Sequence, residues 1–204
     1  MSISFTIIIV AITVIVSLAA FSSSELRNKL ILYPFVMDNP SEYYRLLSSG
    51  FIHADIPHLA FNMYALYIFG EYMERDFATL SHSWVFLILY LVGIIIASVP
   101  SFIKHRAHSY YLALGASGGV SAVIFAFIYF HPWSRIGIIF IPGGIPAIVF
   151  AVLYLLYSAW SSRHAKDNVG HDAHFWGGVY GFVFAFFSDP THGRLFFEEI
   201  THPY

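Results

Sequence analysis

Leu114-Gly115-Ala116-Ser117-Gly118-Gly119-Val120-Ser121-Ala122-Val123-Ile124-Phe125-Ala126-Phe127-Ile128-Tyr129-Phe130 is the stretch that decides the fold. It carries no charge and is close to the length that crosses a bilayer. Its front holds a serine among three glycines, Gly115, Gly118 and Gly119. Glycine weakens a helix, so glycines at a helix start point to a sharp turn or to another backbone coming close. A hydroxyl in the first turn sits at the positive end of the helix dipole, among N–H groups with no partner inside the helix. That position suits a nucleophile whose attack creates an oxyanion. It equally suits a plain N-cap serine, with the glycines serving helix packing.

The surrounding composition narrows the class. Of the 204 residues, 58% are hydrophobic and 11% charged, against about 25% charged in a soluble domain. The formal net charge of −2 offers no basic surface for nucleic acid. The chain has no cysteine, which excludes disulfides and thiolate metal sites. The expectation is an all-α polytopic protein embedded in a lipid bilayer, one domain over residues 1–204.

Apolar runs predict six membrane helices, at about 3–21, 58–75, 83–99, 114–130, 146–160 and 171–188. The first has no preceding Lys or Arg, unlike a signal peptide, and is read as a span. A long first loop, residues 22–57, holds Tyr33, Phe35, Tyr43, Tyr44 and Phe51. Aromatic side chains favour the headgroup level, so the loop is expected to fold there, partly embedded. Charged Glu71, Glu74, Arg75 and Asp76 are read as closing the second helix, and Pro100 as following the third. Pro142-Gly143-Gly144-Ile145-Pro146 makes the stretch before the fifth helix irregular. Residues 161–170 form a short polar cap loop.

Six spans impose a parity. Helices two, four and six run in the same direction, so their N-terminal ends share one face. At those ends stand His58 with Asn62, then Ser117, then His174. Polar groups at membrane depth are costly and default to a functional reading. Each also has a plain reading. His58 and Asn62, four apart on one helix face, could only bond a neighbouring helix. A single interfacial His174 could be structural, and His53 could only pack the loop. A second pattern joins two of these helices. Gly118, Ala122 and Ala126 repeat every four residues on the fourth, and Gly177, Gly181 and Ala185 on the sixth. Small residues at this spacing let membrane helices approach closely. If the two stripes pack together, Ser117 and His174 meet at one end, and a hydroxyl beside an imidazole is the minimal activated nucleophile.

These motifs together resemble the rhomboid intramembrane serine proteases. The resemblance runs from about Glu42 to Phe187. It rests on Glu42-Tyr43-Tyr44-Arg45, on His53 followed by His58-Leu59-Ala60-Phe61-Asn62-Met63, on Gly115-Ala116-Ser117-Gly118, and on Ala173-His174-Phe175-Trp176-Gly177 with Gly181. It implies a six-transmembrane-helix bundle with Ser117 as nucleophile and His174 as general base. It further implies that His58 and Asn62 bind the oxyanion, beside the Ser117 backbone N–H. The implied substrates are transmembrane segments of other proteins, with no cofactor and no metal. The implied location is a bacterial inner membrane, with the active face outward. The fifth helix and the 161–170 loop are implied as gate and cap. Asp172, two residues from His174, points elsewhere on a helix and is left out of the site.

The chain departs from the family in two places. Tyr44 stands where a Trp often precedes the loop arginine. Ser121 stands where some members carry a Tyr that stacks on the catalytic His, which leaves His174 to be oriented by Trp176 or a water. Two other classes compete with the protease reading. One is an inactive rhomboid-like protein that escorts membrane helices; it would lack the Ser or the His, and both are here. The other is a metal site of His53, His58, His171 and His174. Nothing in the sequence sets the oligomeric state.

Charge distribution opposes the implied orientation. The catalytic side would carry Arg27, Lys29, Arg45, Lys104, Arg106, Arg163 and Lys166, and the other side only Arg75, Arg135 and Arg194. The positive-inside rule puts the richer side in the cytoplasm. Folded loops carry charges for their own reasons, and the outward orientation is the expectation. A cysteine at Ser162 in this cysteine-free chain should then react with a membrane-impermeant thiol reagent in intact cells. Labelling only after lysis would reverse the orientation.

Overall fold

The computed structural model describes residues 4–138, 141–164 and 170–202. It is mostly helical. In chain order the elements are α1 (Phe5–Ser22), α2 (Ser24–Leu30), α3 (Arg45–Ser48), α4 (Ile56–Leu80), α5 (Val85–His105), α6 (Ser117–Phe130), β1 (Arg135–Ile138), β2 (Ile141–Pro146), α7 (Ala147–His164), α8 (His171–Ser188) and α9 (His192–Thr201). Two of them, α1 and α5, are long and apolar enough to cross a bilayer; α6 is apolar but shorter.

α6 is the axis of the bundle. Eleven of its residues are buried, and α4, α5, α7 and α8 surround it. Its closest neighbour is α8. A Cβ built on Gly177 would overlap the Gly118 carbonyl, and one on Gly181 would lie 2.5 Å from the Ala122 Cα. The second contact lies one turn beyond the first on both helices, so α6 and α8 run parallel. α5 runs antiparallel to α6: a Cβ on Gly93 would come within 2.8 Å of the Ala122 Cβ, and Gly118 abuts Ala97. α4 runs parallel to α6, since the His58 ring lies against Gly115 at one end and Phe69 meets Phe127 edge-on towards the other.

Helix ends in this apolar setting need acceptors for their first N–H groups. For α1 the Glu74 carboxylate supplies them, accepting from the N–H groups of Phe5 (2.8 Å) and Thr6 (2.9 Å). This changes the expected end of the second helix. Glu71, Glu74, Arg75 and Asp76 do not close it; α4 continues to Leu80. Its start is also earlier, because Asp55 caps it by accepting from the His58 N–H.

Other boundaries differ for local reasons. The fourth helix begins at Ser117, not at 114, because Gly115 holds φ +120°, a conformation no helix contains. The third begins at Val85 and runs through Pro100 to His105. The fifth starts at Ala147 and extends to His164, so most of the described cap loop is helix, while 165–169 lie outside the described residues. Ser162 is therefore on the last turn of α7 and half-buried; Arg163 and His164, exposed on the same turn, report the same face. The irregular stretch before α7 is an antiparallel hairpin of β1 and β2, with Gly143 and Gly144 at positive φ. The tail forms α9, seated by Phe196 against Tyr129.

The first loop is folded. Arg45, 9% exposed, donates to Glu42 (2.6 Å) and to the carbonyls of Asn28 (2.7 Å) and Ile31 (3.0 Å). A buried guanidinium is tolerable when its donors are taken up this way. Leu32 then pairs with Ala113 through mutual backbone bonds, which ties the loop to the approach of α6.

The α6–α8 contact leaves no room for a side chain at 181. Even Gly181→Ala must displace the backbone of Ala122, and Gly181→Leu more so, since overfilled contacts cost about 1–3 kcal/mol. Both should lower the melting temperature in detergent, Leu further than Ala. Ala78→Leu, on the exposed last turn of α4, should leave it unchanged. Wild-type melting of Gly181→Leu would contradict the packing.

Candidate active site

The turn into α6 is held by two hydrogen bonds to the first loop. The Gly115 N–H donates to the Ser49 carbonyl at 2.9 Å. The Ala116 N–H donates to His53 Nε2 at 3.3 Å. Ser117 follows as the first residue of α6, half-buried. The first-turn N–H groups point out of the helix at this end by helix geometry.

His53 is 2% exposed, and its bonds fix its tautomer. Nε2 accepts from Ala116, so Nδ1 carries the proton and donates to Ser17 Oγ (2.9 Å), which donates to the Phe51 carbonyl (3.0 Å). Burial, with His58 beside it, pushes the imidazole down to about 4. His53 thus joins α1, the first loop and the serine turn, more than the loop packing its position suggests.

His58 stands in the first turn of α4. Its ring meets His53 at 5.0 Å, nearly perpendicular. A Cβ on Gly115 would come within 2.7 Å of its Cε1, so only glycine admits this ring beside the turn. Asn62, one turn on and 7% exposed, donates one amide hydrogen to the His58 carbonyl at 2.9 Å.

His174 lies in the first turn of α8, its N–H bonded to the Gly170 carbonyl. Gly118, next to Ser117, faces Ala173, next to His174: a Cβ on Gly118 would be 3.7 Å from the Ala173 carbonyl oxygen. The two helix starts therefore meet at one end, where His58 also reaches Gly115. The Tyr154 ring of α7 stacks on His174, centroids 5.9 Å apart and planes 25° apart. The His171 ring meets His174 nearly perpendicular at 6.0 Å. Trp176, an expected orienting group, is 43% exposed with its ring edge-on to Phe175.

Two further sets of groups lie near these helix starts. Asp172 pairs with Lys104 at 3.1 Å. The four histidines of the metal reading fall into two ring pairs, His53 with His58 and His171 with His174. Among the described residues no three His, Asp or Glu side chains gather to hold a metal ion. Ser121 stands out in the sequence only as a departure from the family, and Tyr154, whose hydroxyl it meets, does not stand out. The available signal was a polar stripe, Tyr154, Ser158 and Ser161, on one face of an otherwise apolar helix.

An open groove of about 700 Å³ lies among α4, the C-terminal end of α6, β1 and α7. It is lined by Phe61, Phe69 and Tyr72 of α4, Phe127 and His131 at that end of α6, Arg135 of β1 and Phe150 of α7, and Ser117, His58, Asn62 and His174 are not among its lining residues.

The family model described as Rhomboid domain matches residues 40–189. Over 113 residues the chain is 35% identical to "Rhomboid protease GluP" of Bacillus subtilis (strain 168), covering 55% of this chain and 19% of that protein. Over 102 residues it is 35% identical to "RHOMBOID-like protein 12, mitochondrial" of Arabidopsis thaliana, covering 43% of this chain and 29% of that protein. The chain thus spans less than a third of the length of these curated relatives.

The His53 tautomer has a pH consequence. Its folded pKa lies below the ordinary value of 6.5, so the unfolded chain binds the proton more tightly. Its contribution to stability is complete above pH 6.5, is lost as pH falls towards 4, and changes no further below. Over that window the loss should approach about 3 kcal/mol. Melting in detergent between pH 7 and 4 should fall less steeply for His53→Gln than for the unaltered chain. Equal slopes would show that His53 does not titrate in this way.

Proposed function

The chain belongs to the rhomboid family of membrane proteins, and on that premise we propose that it is an intramembrane serine endopeptidase working through a Ser117–His174 dyad. The observation that carries this reading is the close parallel approach of α6 and α8, which joins the starts of the two helices. Family membership alone would leave room for an inactive relative that only binds membrane helices. The presence of both Ser117 and His174 favours the enzyme.

The proposed chemistry follows from the groups at that end. The Ser117 Oγ–H proton passes to His174 as the oxygen attacks the scissile carbonyl. The oxyanion that forms lies at the positive end of α6, where the Ser117 backbone N–H can donate to it. The Asn62 amide and the His58 ring are the proposed side-chain donors, the latter brought to the turn by the missing side chain of Gly115. His174 returns the proton to the leaving amine, and water repeats the sequence on the acyl-enzyme.

The proposed setting is a bundle of six spans, α1, α4, α5, α6, α7 and α8, in a bacterial inner membrane with the site facing outward. α6 has 14 residues, which is about 21 Å of helix, short of the roughly 30 Å of bilayer hydrocarbon. If its far end lies at one interface, Ser117 lies below the other, and water must reach it through a cavity in the protein. The proposed substrates are transmembrane segments of other proteins.

Ser117→Ala and His174→Ala should each abolish cleavage of a transmembrane substrate and labelling by a fluorophosphonate, with melting unchanged. Loss of a nucleophile or base costs orders of magnitude. Asn62→Ala should be milder, about 10²-fold for one oxyanion donor. Near wild-type cleavage by Ser117→Ala would end the serine-protease reading.

A further inference from the structure

Two polar side chains that the proposed chemistry does not use meet beside its base. Ser121 is one turn after Ser117 on the same face of α6 and is 2% exposed. Its hydroxyl lies 2.7 Å from the Tyr154 hydroxyl of α7. The Tyr154 ring in turn lies over the His174 imidazole. Phe150 stacks against the same ring at 5.3 Å, and Phe125 meets it at 5.7 Å. The ring is thus gripped by carbon on two sides and tied at its tip to the helix that bears Ser117.

We propose that Tyr154 is a positioning residue for His174 and that Ser121 is its anchor. The proposal rests on the Ser117–His174 reading and adds to it the means by which the base is aimed. An imidazole turns in a broad χ2 well, whereas proton transfer needs its nitrogen within hydrogen-bond reach of the hydroxyl. A ring stacked at 25° restricts that turning. Its π face also favours the imidazolium that forms as the proton moves. The hydroxyl bond sets the depth of the ring along α6. One polar contact therefore references the base on α8, through α7, to the helix of the nucleophile.

The test measures kcat and KM on a transmembrane substrate, and the fluorophosphonate labelling rate, at matched folding. Tyr154→Leu removes the stack and should lower kcat and labelling about tenfold, with KM within about twofold of wild type. Tyr154→Phe keeps the stack and should lose only about threefold, the size of one hydrogen bond. Ser121→Ala should lose about as much. The double variant Ser121→Ala with Tyr154→Phe should lose no more than either single, because all three break one contact. Wild-type kcat in Tyr154→Leu, an effect on KM alone, or losses that multiply in the double variant would overturn the proposal. Should Tyr154→Leu fail to fold, the Ser121 and Phe variants decide it, since both retain the ring. Ser117→Ala keeps the two readings apart. If it labels like wild type, the dyad reading falls; if it is inert and Tyr154→Leu is unaffected, only the positioning role falls.

Discussion

The whole arrangement depends on two backbones touching. At Gly177 and Gly181 no side chain stands between α8 and the carbonyls of Gly118 and Ala122. Between membrane helices the lipid offers no hydrophobic driving force, so association relies on packing and on close approach. Removing the side chains at these positions converts two separate helices into one rigid pair. The starts of both helices are then held at one level. Ser117 and His174 therefore stand on neighbouring helix starts.

Around this pair, polar groups serve particular helix starts and one buried charge. Glu74 caps α1, Asp55 caps α4, and Arg45 gathers the first loop around its guanidinium. His53 does the same for the turn into α6, with its neutral tautomer set by Ser17 and Ala116. An unmet donor costs more at membrane depth than in water, because nothing replaces the lost partner. The result is a serine turn whose position is fixed by three elements distant in sequence, α1, the first loop and α4.

How far this was legible in the sequence varies with the range of the interaction. The small-residue stripes, the co-directional helices and the four family motifs are local patterns, and they led to the right family. Helix limits were less legible. Glu71 and Glu74 read as a polar stop, because their use by α1 lies some seventy positions away in the chain. Pro100 read as an end, yet the helix passes through it. Gly115 moved the start of α6 by a conformation that sequence reading does not assign. Tyr154 was invisible as a partner of His174 because its helix carries several other aromatics, and only the fold selects which one faces α8.

If His174 is the base, as proposed, its setting gives a reason for such a partner. In water-soluble hydrolases a buried carboxylate often fixes the tautomer and direction of the imidazole. At membrane depth a carboxylate carries a large desolvation cost unless it is paired. The acidic side chain nearest in sequence, Asp172, lies instead on Lys104 at the exposed rim. A stacked aromatic has no such cost, since its body is apolar and its one hydroxyl needs a single partner. In this chain that partner is Ser121, a residue small enough to leave room for a ring arriving from α7. Where a bulky aromatic stood at 121, the Tyr154 ring could not reach its present place. The identity of position 121 and the supply of a ring by α7 are therefore one constraint seen from two helices.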